Sequence, residues 1–280
     1  MTRGLPARPN TGARGLATSW PGEVPGRVPF LRRNLFMRQT CTAPSGPMMR
    51  VEKPAEPLTD YERYLRIPEL LALQKPVEDR AHRDELLFQV EHQSAELWFK
   101  LILSDLHDAG ALMEQDKPLE AERLFERAAR VMALLTEQIL ILTTMSPWDY
   151  HAIRLKLARG SGAESPGFRG LLTEPRALWP KFEALLKRRN VALDDVYVHY
   201  HEHYDAFRLA EGMTDFDMRL QVWRLTHLTF IKRVIGRDVM SLKGYSVHDL
   251  EAAMGQQVYP ELWAVRNRLT NKAGTSPSYG

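Results

Sequence analysis

Histidine is costly to bury, and this sequence twice places one inside an otherwise apolar, helix-forming segment. The first instance is Phe88-Gln-Val-Glu-His92-Gln-Ser-Ala-Glu-Leu-Trp-Phe-Lys100, and the second is Trp223-Arg-Leu-Thr-His227-Leu-Thr-Phe-Ile-Lys-Arg-Val-Ile-Gly236. His92 follows Phe88 by four positions, so both project from one helix face, with Ala95 and Glu96 close to the same stripe. His227 sits between Trp223 and Ile231 at the same spacing, beside the basic flank Arg224, Lys232 and Arg233. A neutral imidazole on an apolar face suits axial ligation of haem iron, and nearby cations can neutralise the propionates. Taken singly, each histidine reads first as a core side chain hydrogen-bonded to a neighbouring helix, and the basic flank as a solvated surface. Taken as a pair, they suggest opposite walls of one pocket.

Between them lies Met145-Ser-Pro-Trp-Asp-Tyr150-His-Ala-Ile-Arg154, in which Tyr150 and Arg154 are one helical turn apart. The planar fork of a partly buried arginine suits a carboxylate through two parallel hydrogen bonds. An amino-acid substrate would supply that carboxylate, and so would an Asp or Glu of the chain itself. His199-Tyr-His-Glu-His203 looks like a metal cluster, with His199 and His203 expected on one helical face, yet it lacks Glu-x-x-His spacing. Neither is there a His-Glu-x-x-His sequence, so this segment reads as a solvated helix surface. One cysteine, Cys41, excludes a disulfide framework, a multi-cysteine zinc site and covalent haem attachment through Cys-x-x-Cys-His. No Gly-x-Gly-x-x-Gly or Walker sequence occurs, which argues against nucleotide cofactors.

The elements that must position these residues are helices. With 280 residues, 44% of them hydrophobic and 26% charged, the chain can bury a sizeable core. Apolar residues recur at spacings of three and four in 61–73, 86–106, 119–142, 177–186, 217–235 and 259–269, and strand-like alternation is scarce. Leu58-Thr-Asp60, Asp116-Lys-Pro118 and Ser146-Pro147 mark boundaries. No fixed-period repeat appears. The reading is an all-α fold: a single helical-bundle domain of long antiparallel helices over residues 56–272, followed by a flexible tail, 273–280.

Residues 1–50 hold eight arginines, one glutamate, six glycines and seven prolines, so about +7 of charge sits there although the chain as a whole is at +3. Residues 1–55 are accordingly expected to be a disordered extension. Its arginines are scattered and few aromatics accompany them, so no nucleic-acid partner is expected. Met48 or Met49 is a candidate true start. No apolar run approaches the ~18 residues of a membrane span, and no secretory signal stands at the N-terminus, which makes the cytoplasm the expected address.

Several segments, in order, resemble the tryptophan 2,3-dioxygenase family across nearly all of residues 58–271. Tyr61-Glu-Arg-Tyr64-Leu65 looks like the family's Tyr-x-x-Tyr-Leu opening, and Asp84 to Trp98 resembles its histidine-bearing helix. Met145 to Arg154 is similar to its carboxylate-binding segment, Trp223 to Gly236 to its haem-ligand helix, and Tyr259-Pro-Glu-Leu-Trp-Ala-Val-Arg266 to its closing segment.

The resemblance implies a helical, usually homotetrameric enzyme that carries haem b and opens the indole C2–C3 bond of L-tryptophan with O2. It makes His227 the iron ligand, with Trp223, Ser161 and Gly162 also contacting the cofactor. It places the catalytic His92 on the distal side, accepting a hydrogen bond from the indole N–H, with Phe88 packed on the ring. Tyr150 and Arg154 would hold the substrate carboxylate, and Tyr61, Tyr64 and Leu65 would complete the site of a neighbouring subunit. The cofactor then supplies the oxygen chemistry and the protein the orientation.

Two segments depart from the family pattern. Ser161-Gly-Ala-Glu-Ser-Pro-Gly-Phe-Arg169 stands where the family usually has Ser-Gly-Phe-Gln-Ser-x-Gln-Phe-Arg, so Ala163 replaces an aromatic and Glu164 an amide. Met240-Ser-Leu-Lys-Gly-Tyr-Ser246 replaces the glycine-rich loop that closes over the substrate, with Ser241 at its threonine position and Leu242 and Lys243 in place of flexible glycines. Substituted tryptophans therefore join L-tryptophan as expected substrates. Alternative readings are a monooxygenase that gives a 2-oxindole or hydroxylates another aromatic amino acid, and a non-enzymatic haem or amino-acid sensor.

Overall fold

The computed structural model describes residues 57–158, 160–239, 251 and 254–274. Residues 1–55, Ser241, Leu242 and Lys243 lie outside them. The described residues contain helices and no strand, as the periodicity predicts.

Two short helices open the fold, α1 (Asp60–Leu65) and α2 (Ile67–Leu71). Thr59 caps α1 in a reciprocal box with Glu62, the pattern in which each side chain satisfies the other's backbone N–H. The sequence predicts one helix over 61–73; instead Arg66 takes a left-handed conformation (φ 55°), which ends α1 and starts α2. The buried Glu85 carboxylate then accepts from Lys75 Nζ (2.5 Å) and the Ala81 N–H (2.6 Å), tying the incoming loop to the start of α3 (Glu85–Glu114).

α4 (Pro118–Leu142) follows, with proline at its first position, where a missing N–H costs nothing. α5 (Pro147–Lys156) starts behind Ser146, whose hydroxyl accepts from the Trp148 N–H. α6 (Pro166–Thr173), α7 (Trp179–Arg188) and α8 (Leu193–Val198) are short. α9 (Tyr204–Val234) runs 31 residues, well beyond the expected 217–235, and α10 (Pro260–Ala273) closes the described chain. His199 caps the end of α8 and His203 the start of α9. The expectation that both share a helical face is thus corrected: a turn separates the two helices there.

α4 is the spine. Both α3 and α9 pack along it far more than on each other. Ile102, Leu106 and Met113 of α3 meet Phe125, Met132 and Leu135 of α4, which meet Leu209, Met213, Phe216 and Leu220 of α9, all essentially inaccessible. Asp105 of α3 pairs with Arg127 of α4, and Glu122 of α4 pairs with Arg208 of α9 (2.5 Å). Inside this apolar core one carboxylate, Asp217, is fully buried. It accepts from the N–H groups of Val258 (2.9 Å) and Tyr259 (3.0 Å), from Trp263 Nε1 (2.9 Å) and from Gln221 Nε2 (3.0 Å), fastening the start of α10 to α9.

Among the described residues no single helix is long and apolar enough to cross a membrane. Only α4 and α5 taken together pass by length and composition, and they are bent by 105°.

Candidate active site

Residues of α3, α9 and the last turns of α4 line a cavity of about 360 Å³, within the ~300–1,000 Å³ range usual for ligand sites. Its wall is mostly apolar. Phe88, Ala95 and Phe99 come from α3, Ile139 and Leu142 from α4, and Trp223 and Phe230 from α9, with Leu157 and Phe168 closing the side. The polar groups are few: Glu91, His92 and Glu96 of α3, His227 of α9, and Ser161, Gly162, Glu164 and Ser165 of the connection between α5 and α6.

His92 and His227, which as a pair suggested opposite walls of one pocket, both line this cavity. His92 stacks near Phe88 with ring centroids 4.0 Å apart, and its Nδ1 lies 2.8 Å from both the Phe88 carbonyl oxygen and Glu91 Oε2. The ring is 47% exposed, because the cavity lies beside it. Burial disfavours a charge on this ring, but the hydrogen bond and charge of Glu91, the Phe88 carbonyl and Glu96 outweigh that, leaving its pKa above the ordinary histidine value.

His227 is the opposite case. Its ring lies parallel to Trp223, at 8° and 5.3 Å between centroids, and edges toward Phe168. Burial, followed by the like charge of His92, pushes its pKa down to about 4, so the ring is neutral at physiological pH. No hydrogen bond engages it among the described residues. The Trp223 indole N–H is buried with no hydrogen-bond partner among the described residues. An apolar pocket with one neutral imidazole and an unsatisfied donor fits a flat, largely apolar group bearing a ligatable metal and polar edges.

Ser161 and Gly162 line the cavity. The Ser161 N–H donates to Glu164 Oε2 (3.0 Å), which curls this connection into a 3-10 turn over Gly162–Glu164. Tyr150 and Arg154 are not among the residues that line the cavity; the Tyr150 ring centroid lies 6.1 Å from that of Phe88, which does line it. Tyr150 packs with Phe88 and Phe230 on a small cluster of Leu142, Met145 and Ile153. Burial raises the pKa of its phenol, and the Arg154 charge partly offsets this. Tyr61, Tyr64 and Leu65 on α1 are 71%, 88% and 42% exposed and stay clear of this chain's own cavity.

Two contributors, Phe99 and Phe168, were not singled out from the sequence, and Glu96 was placed near the His92 face without a role. Glu96 receives the hydroxyl of Ser165 and the Gly167 N–H (3.1 Å), so it caps α6 from α3. Phe168 and Phe99 wedge Trp223, at 5.4 and 5.7 Å between centroids, and hold it against His227. A signal did exist, since Glu96 is four positions from His92 and Phe99 seven.

The family described as Tryptophan 2,3-dioxygenase matches residues 48–174. Tryptophan 2,3-dioxygenase of Saccharopolyspora erythraea is 31% identical over 260 aligned positions, covering 75% of this chain and 92% of the relative. The enzyme of Erythrobacter litoralis is 32% identical over 261 positions, with 75% and 98% covered, and that of an Arthrobacter species is 28% identical, with 75% and 91% covered. With two relatives above 30% identity matched over more than nine-tenths of their own length, on an all-α fold, this chain belongs to the tryptophan 2,3-dioxygenase family of enzymes.

Proposed function

We propose that this chain is a cytoplasmic, haem-dependent oxygenase that adds both atoms of O2 across the indole C2–C3 bond of L-tryptophan or a substituted tryptophan, giving N-formylkynurenine or its analogue. The observation that carries the reading is the meeting of His92 and His227, from separate helices, in one apolar cavity. Haem b, when bound, supplies the activation of dioxygen.

The chain's own residues hold, orient and exclude. His227, neutral and buried, is the iron ligand, with Trp223, Ser161 and Gly162 against the cofactor. His92 accepts the indole N–H, and Phe88, packed on it, presents an aromatic face to the indole ring. Tyr150 and Arg154 of α5 would hold the substrate carboxylate, as the family resemblance implies. Leu142, Leu157, Phe168 and Phe230 keep water from the reacting carbons. Ser241 contacts the amino acid, and Tyr61, Tyr64 and Leu65 complete the site of a neighbouring subunit in a homotetramer.

The test is mass spectrometry of the product formed from L-tryptophan under isotopically labelled O2, using haem-reconstituted protein. Two labelled atoms in a ring-opened product are expected. A protein that takes up no haem when hemin is supplied, and turns over no tryptophan, overturns the proposal. A second reading, monooxygenation to a 2-oxindole, draws on Glu164, a carboxylate lining the cavity where the resemblance leads one to expect an amide. One labelled atom in the product selects it.

A further inference from the structure

Glu91 and His92 are consecutive on α3, and consecutive helical residues ordinarily point well apart. Here the Glu91 carboxylate reaches the imidazole of its neighbour, Oε2 to Nδ1 at 2.8 Å, and the Phe88 carbonyl oxygen approaches the same nitrogen at 2.8 Å. Both oxygens are acceptors. The nitrogen between them must carry hydrogen, which confines the lone pair of the neutral ring to Nε2, and the ring borders the cavity.

Glu91 is itself buried, at 8% exposure. A buried carboxylate is unfavourable without a paired charge. Among the described residues no lysine or arginine forms an ion pair with it; His92 does. The turn of helix that carries both is pinned from α4, where Gln138 Nε2 donates to the Glu91 carbonyl (2.9 Å) and to Ser94 Oγ (2.6 Å).

We infer that Glu91 is a positioning residue of the cavity, which locks His92 as the Nδ1–H tautomer, leaves Nε2 as the acceptor available to a ligand, and stabilises the ring when it takes up a proton. The ionisable groups sharing the cavity reinforce this balance: Glu96 of α3 and Glu164 of the α5–α6 connection are acids, and His227 of α9 is held neutral. Tyr150 of α5 packs near Phe88, and the charge of Arg154 acts on its phenol. The raised pKa of His92, maintained by Glu91 against the opposing effect of burial, agrees with the geometry. The identity of the N–H that Nε2 accepts rests on the function proposed above; the pairing of Glu91 with His92 does not.

Two arms of one experiment separate them. Diethyl pyrocarbonate acylates only an unprotonated imidazole nitrogen, and the tryptic peptide Asp84–Lys100 carries His92 as its single histidine. The rate at which this peptide is modified in the folded full-length chain, followed by mass spectrometry from pH 5 to 9, gives the midpoint of His92 with or without haem. Glu91→Gln should lower that midpoint by about one pH unit, the smaller end of the effect of removing an opposite charge. Glu91→Asp, which keeps the charge on a shorter arm, should fall between, and it decides the matter alone if the glutamine variant does not fold. Unchanged or raised midpoints in these variants overturn the inference. In the second arm, L-tryptophan is titrated into haem-loaded protein and followed by the Soret band, and Glu91→Gln should shift the acid limb of binding downward in parallel. Absence of any haem or tryptophan binding would count against the proposed function and leave the modification result standing.

Discussion

At the scale of residues, one cavity holds two imidazoles of opposite character. His92 is drawn toward the proton by a carboxylate and a carbonyl, and His227 is denied it by burial. This gives haem-free protein a pH dependence with a definite sign. His227 has a pKa near 4 in the folded chain and ~6.5 when unfolded, so between those values the unfolded state binds more protons. Stability is therefore fully present above pH 6.5 and declines as pH falls toward 4. Urea unfolding should show this residue contributing a loss of about 2 kcal/mol between pH 7 and pH 5, and His227→Leu should flatten that slope. An equal slope in both proteins would dismiss the assignment. Both histidines and Phe88 were legible in the sequence, because four-residue spacing fixes a shared face whatever the side-chain torsions. The role of Glu91 was not legible, since adjacent helical positions diverge and only the rotamers adopted in the fold join it to His92.

At the scale of elements, apolar periodicity located the long helices because each buries a continuous stripe. It understated α9, whose first half intersperses the buried Leu209, Met213 and Phe216 with Asp205, Arg208, Glu211 and Asp215, polar residues that dilute the stripe. It also joined α1 to α2, because a left-handed arginine leaves no trace in hydropathy. Asp217 is where this blindness matters most. Asp217→Ala would strand two backbone donors and two side-chain donors that the carboxylate satisfies, at a cost of about 3 kcal/mol, detectable as a fall of several degrees in Tm. The contact of α6 with α3 is a second such point. A Cβ on Gly167 would lie 2.6 Å from the Phe99 Cβ and 2.8 Å from Glu96 Oε2, so the bulkier residue of the family pattern has no room here. Gly167→Ala should cost about 1–3 kcal/mol and, by pushing on Phe99, alter tryptophan binding in the haem-loaded protein. Thermal unfolding and a Soret-monitored titration measure the two effects separately.

At the scale of the whole molecule, the alignment with the Saccharopolyspora erythraea enzyme spans 260 positions, whereas 75% of 280 residues is about 210. Roughly 50 positions of the matched stretch in that relative thus have no counterpart in this chain. The amino-terminal segment nevertheless exposes large apolar side chains, with Tyr64 at 88% and Tyr61 at 71% on α1 and Leu73 at 64% just past α2. A homotetramer that buries them would give a light-scattering mass four times that of the 32.2 kDa chain, and Tyr61→Asp with Tyr64→Asp should dissociate it. A monomer of unmodified protein at micromolar concentration would refute that arrangement. Such a surface was visible in the sequence only as apolar letters, because burial by a second copy and burial by the chain itself use the same residues.

Because α3 and α9 rest against α4 and scarcely against each other, α4 works as the fixed jaw of a caliper whose opening is the gap between the two imidazoles. Its thickness at Ile139 and Leu142, which line that gap, becomes a ruler. Trimming or enlarging either side chain resets the width available to a ligand without touching anything that the ligand meets through a polar atom, so the size of the accepted ring is written partly into a helix that carries none of the histidines.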